Sequence, residues 1–134
     1  MALVINRTLS DGGNGACFEV VGDTGGESDT IVDVSSLSGA TGDGDERVMV
    51  TMVMAMVCDT NGSGGAVTLS WDGSGDNFLT LPVGTTSLRM TWTPTNDSTG
   101  DILISATDDT VFTLRLFVDK IAGFANSTAR AGGF

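Results

Sequence analysis

The 134-residue chain has no histidine, no tyrosine, two prolines, two cysteines and a single lysine, Lys120. Lacking histidine, it lacks the commonest general base near neutral pH and the commonest metal ligand. Neither a serine nor a cysteine has an adjacent base, and no Ser-x-x-Lys surrounds Lys120, so nucleophilic triads are excluded. Basic residues are equally scarce: six Lys+Arg against 17 Asp+Glu give a formal charge of −11. A surface of that sign is repelled by phosphate backbones, which rules out a nucleic-acid partner. Long apolar runs are missing too. The longest, residues 48–58, is interrupted by Thr51 and falls well short of the roughly 20 residues a spanning helix needs, so no membrane partner is expected. The short apolar run at residues 2–5 has no basic residue before it and no cleavage site after it, so no secretory signal is expected. Cys17 and Cys58 are therefore expected as buried thiols of a protein made in a reducing cytoplasm.

What is present is alternation. Val67, Leu69 and Trp71 share one face, as do Leu88, Met90 and Trp92, then Ile102, Ile104 and Ala106, then Phe112, Leu114, Leu116 and Val118. With period two throughout and no clean helical period, the chain reads as all-β. Residues 3–9, 17–21, 30–34, 47–58 and 77–81 complete a set of about nine strands. The fold expected is a single β-sandwich, jelly-roll or immunoglobulin-like, over residues 1–120. Residues 121–134, rich in small side chains and punctuated by Phe124 and Phe134, read as an extended C-terminal arm. Val67, Leu69, Trp71, Leu88, Met90, Trp92, Ile102, Ile104, Leu114 and Leu116 are the expected core. Trp92→Ala is accordingly expected to cost about 3–5 kcal/mol.

The run RVMVTMVMAMVC at 47–58 is apolar on both parities. A sandwich strand meets the core with one face only, so the second parity, Met49, Val53, Ala55 and Val57, calls for a cover. That cover is either a segment of the same chain or a partner seated on adaptable methionine. On the partner reading, Met49, Val53 and Val57, with Phe124 and Phe134 as anchors, form the contact.

Most of the nineteen glycines and much of the acid fall in the connections, where glycine supplies positive φ and Asp folds onto the backbone. Asp59, Asn61, Ser63 and Gly64 match the opening of a calcium loop, yet position twelve is Ser70 instead of a bidentate glutamate. Asp43 with Asp45, and Asp72 with Asp76, are similar fragments. Turn-forming acids are the simpler account, so no cofactor is expected, with structural calcium the one alternative. Trp71 and Trp92 would make a sugar-stacking platform if exposed, but each lies on its strand's apolar parity.

RTLSD at 7–11, TIVDVSSLSGA at 30–40, WDGSGDNFLTL at 71–81, and STGDILIS followed by FTLRLFV up to residue 118 together resemble the capsid decoration, or cement, proteins and related head-surface proteins of tailed bacteriophages. The resemblance spans most of the chain without a single diagnostic motif. It implies a non-enzymatic virion protein on the outer capsid surface that bridges neighbouring major capsid subunits. It also implies self-association as a dimer or trimer. One departure is that some relatives form trimers through N-terminal arms, whereas here the arm is C-terminal. The competing reading is a head-fibre or tail-associated module that binds a host glycan.

Overall fold

The computed structural model describes residues 3–23, 28–60, 62, 64–73, 77–94 and 99–125. Nine strands are present among them: β1 (Leu3–Asp11), β2 (Gly15–Gly22), β3 (Ser28–Val32), β4 (Arg47–Asp59), β5 (Ala66–Trp71), β6 (Asn77–Pro82), β7 (Gly84–Leu88), β8 (Ile102–Ala106) and β9 (Thr110–Ala122). One 3-10 turn, Val34–Ser36, starts where the Asp33 carboxylate accepts the Ser35 N–H.

Every pairing is antiparallel, in two sheets ordered β1-β2-β9-β4-β7 and β3-β8-β5-β6. The partners are nested: β2 with β9, β3 with β8, β4 with β7, and β5 with β6. A single long hairpin of four paired strands, rolled so that β4 also meets β9 and β5 also meets β8, generates this order. That is the jelly roll, with β1 as an extra strand on its edge. Of the two sandwich topologies the sequence left open, the jelly roll is the one formed.

The core lies between the sheets. Phe18, Val20, Leu114, Leu116 and Phe112 project from one sheet, and Val67, Leu69, Trp71, Ile102 and Ile104 from the other. Leu88 and Trp92, expected inside, are half-buried, and Met90 is 58% exposed. The strand expected to end at Trp92 is instead Gly84–Leu88. Beyond it the chain pairs with β4 again at Trp92, whose N–H and C=O both bond Val50. Trp92 leans on Phe78, which stacks on Trp71 at 4.7 Å, so the three rings close one open side of the sandwich.

Strand β4 resolves the double apolar parity. Val50 pairs with Val118 but Met52 pairs with Phe117, so a bulge at Thr51 inserts one extra residue. An extra residue exchanges the two faces. Val48 and Val50 point inward before the bulge, and Val53, Ala55 and Val57 point inward after it. One face is buried along the whole strand, and no second cover is needed for the valines.

Strand β9 runs past residue 120 to Ala122. Gly123 then turns the chain at φ +76°, packed so closely on Glu46 that a Cβ would lie 2.6 Å from its backbone nitrogen. Phe124 follows into the core at 2% exposure. The rest of the expected arm, residues 126–134, lies outside the described residues.

Candidate interaction surface

The cross-strand registers define what the five-stranded sheet presents on its outer side. One row reads Ile5, Val21, Thr113, Met56, Thr85; the next reads Arg7, Glu19, Arg115, Met54, Ser87. Cys17, Phe117 and Met52 form a third, and Asp119 with Met49 a fourth. The bulge at Thr51 therefore places four methionines on one face. Met49 and Met52 are half-buried there, whereas Met54 and Met56 are exposed by 41% and 52%. Met54, Met56, Thr85, Ser87, Thr113 and Arg115 surround an open depression of about 400 Å³ with Glu19 at its rim.

Charge in this face is held in place. Glu19 accepts from Arg7 Nε at 2.9 Å and Nη2 at 2.6 Å, and from Arg115 Nη2 at 3.3 Å. The Arg7 hydrogen bond holds the Glu19 carboxyl below the usual carboxylate range, with Arg115 adding to the effect. Burial pushes the neighbouring Cys17 thiol up, with Arg115 opposing the rise, which favours its protonated form. Both cysteines are free. The expectation of two buried thiols is corrected: Cys17 is half-buried and Cys58 is exposed, because each stands on the outer parity of its strand.

The contact set expected from the sequence is divided by these placements. Met49 lies on the outer face. Val53 and Val57 are core residues, at 0% and 2% exposure, because the bulge turned them inward. Phe124 is also a core residue. Its ring lies 5.2 Å from the Lys120 ammonium, which is fully buried and donates to Asp11 Oδ1 (2.6 Å), the Gly12 carbonyl (2.6 Å) and the Ser38 carbonyl (2.7 Å). All three ammonium protons are satisfied. The clasp ties the β1–β2 turn, the loop after the 3-10 turn and the end of β9 together. None of Val53, Val57 and Phe124 is available to a partner in this arrangement, and Phe134 lies outside the described residues. The bulge instead leaves Met54 and Met56 exposed; the signal for it in the sequence was Thr51, a polar break inside the apolar run.

The four-stranded sheet presents a different exterior. Its rows are Ser28, Ser105, Thr68, Thr80 and Thr30, Leu103, Ser70, Asn77, with no charged side chain in either. Acids gather at its ends. Asp101 accepts the Val34 N–H at 2.9 Å, and Asp72 accepts the Thr99 hydroxyl at 3.2 Å. Burial raises the Asp101 carboxyl, and Asp33 and Asp72 add to the rise. In the calcium-like loop, the Asp59 carboxylate accepts the Gly64 N–H and so closes its own turn. Asn61, Ser63 and Asp76 fall outside the described residues, and no cluster of three metal-ligating side chains occurs among those described. Trp71 is buried, so it offers no face to a sugar.

No protein-family model and no curated protein matches the chain. Among solved structures, a chain of the acidic stable capsid structure of Helicobacter pylori bacteriophage KHP30 has the same fold at a TM-score of 0.51. The alignment has 14% identity and covers 84% of this chain and 91% of that one. At that identity the likeness is one of fold.

Proposed function

We propose that this chain is a non-catalytic structural protein of a bacteriophage virion that sits on the outer capsid surface and bridges neighbouring major capsid subunits. The observation carrying this reading is the shared fold with a phage capsid chain over nearly the full length of both proteins. The sequence resemblance to phage head-surface proteins supports it, as does the absence of histidine and tyrosine. The contact is assigned to the outer face of the five-stranded sheet. There unbranched methionine can adapt to a second surface and the charges are already paired. No resident cofactor is part of this role, and many copies, each holding weakly, would stiffen the shell by multivalency.

The test is to add the purified full chain to capsids that lack it and count bound copies. Saturation at a number commensurate with capsid subunits is expected, with little change as salt is raised because the contact is largely apolar. No binding, or only a few copies at a tail, overturns the reading in favour of an adsorption module. Met54→Glu with Met56→Glu is expected to abolish capsid binding while leaving the fold intact.

A further inference from the structure

Strand β7 ends its sheet, and its edge differs from the opposite one. Its inner side pairs with β4 from Val57↔Gly84 to Val53↔Leu88, and contact resumes at Val50↔Trp92. The open side therefore runs from Gly84 to Trp92. Natural sheets blunt such edges with lysine, proline, charge or bulges. Between Gly84 and Trp92 there is no lysine, proline or carboxylate, and Arg89 is the one charge. The far edge is protected: β1 carries two register shifts, ends in Asp11 and has Arg7 tied to Glu19.

Two further features point to what pairs there. First, acid is absent from this side of a chain of charge −11. Residues 47–58 and 77–94 contain no Asp or Glu, so two copies approaching through β7 meet less like-charge repulsion than copies approaching through the acid-bearing connections. Second, the edge is complementary to itself, as a two-fold interface must be. Val83 and Met90, exposed by 49% and 58%, lie three residues before and four after Thr86. Antiparallel pairing about Thr86 sets Gly84 opposite Leu88 and brings each Val83 against the other copy's 89–90 segment. Each Arg89 then faces Val83 and not its own mate.

We propose that β7 is a dimerisation edge, at which a second copy of this chain adds antiparallel and joins the two five-stranded sheets into one. The pairing needs only free protein, so it stands apart from the capsid reading. If both hold, the Met54–Met56 depressions of two copies come side by side on one continuous face, and each dimer grips the shell twice.

Sedimentation of the full chain over a concentration series tests this. A monomer–dimer equilibrium is expected. Val83→Lys with Met90→Lys sets cations against the other copy's Arg89 and against one another, and should weaken it by at least about tenfold, with an unchanged circular dichroism spectrum because both side chains are largely exposed. Val4→Glu with Leu9→Glu, on the far edge, should leave it unchanged. Val83→Lys with Arg89→Glu sets opposite charges across the two-fold axis and should restore dimerisation, a result that general loss of apolar surface cannot produce. Amide exchange at 84–88 should slow as concentration rises. A wild-type chain that stays monomeric, a trimer, or a dimer broken by the β1 pair and not the β7 pair overturns the proposal.

Discussion

The outer rows of the five-stranded sheet carry four methionines, two arginines, a glutamate and an aspartate, whereas those of the four-stranded sheet carry serine, threonine, one leucine and one asparagine and no charge. Both sheets bury the opposite face in one core, so the difference is not dictated by folding. Serine and threonine fit a pleated, solvated surface, and threonine favours strand; they keep the second sheet folded without leaving an apolar patch. Methionine offers apolar area in no fixed shape. The sandwich thus separates an uncharged polar face from one that carries exposed apolar area.

The largest effects should test whether each sheet holds its own interior. Trp71→Ala, in the four-stranded sheet, removes a fully buried ring and should cost about 3–5 kcal/mol in denaturant unfolding. Trp92→Ala, at the half-buried end of the same aromatic stack, should cost about half of that; equal losses would mean the open side is packed as tightly as the centre. On the five-stranded side, Lys120→Met leaves Asp11 and two carbonyls without their buried donor and should cost about 3 kcal/mol. A loss below about 1 kcal/mol would show that water replaces the ammonium.

Acid should act on the two sheets with opposite sign. Asp101, at the start of β8, has its folded pKa raised by burial, so the folded state binds its proton more tightly than the unfolded chain does. Its unfavourable contribution, present at neutral pH, disappears as pH falls through the raised value. Glu19, on the outer face of the other sheet, is lowered by Arg7. Its favourable contribution is present above the ordinary carboxylate value and is lost as pH falls through the depressed one. Asp101→Asn, which keeps an acceptor for the Val34 N–H, should therefore stabilise at pH 7 and have little effect near pH 3. Glu19→Gln should destabilise slightly at pH 7 and not at pH 2. Parallel pH profiles for the two variants would contradict these assignments.

The smallest stability effects belong to the exteriors. Met54→Ser with Met56→Ser, and Thr68→Ser with Thr80→Ser, should each change stability by no more than about 0.5 kcal/mol per site. They should separate sharply in capsid binding, which only the methionine pair should lose. Loss of binding by the threonine pair would move the contact to the other sheet.

Alternation alone identified most strands because period two is written into the faces of Val67–Trp71, Ile102–Ala106 and Thr110–Ala122. It failed where the period is broken or counterfeit. In β4, Thr51 interrupts an apolar run, and only the pairing with β9 reveals that a bulge there exchanges the faces. Leu88, Met90 and Trp92 alternate convincingly, yet the ladder stops at Leu88 and Met90 turns outward. Strand order was illegible, since nested pairing arises from contacts distant in sequence. Phe124 read as an anchor for another protein because nothing local announces that it will pair with Ala40 and lie beneath Lys120.

Lys120 has a further consequence, for the chemistry of labelling. It is the sole lysine of the chain, and its amine is sealed beneath the β1–β2 turn. Amine-directed crosslinkers and acylating dyes find no lysine on the folded surface, so lysine acylation of the folded protein should be slow. Slow acylation of Lys120 would then act as a clock, each modified chain recording one opening of the clasp that holds β1, the Ser38 loop and the end of β9 together.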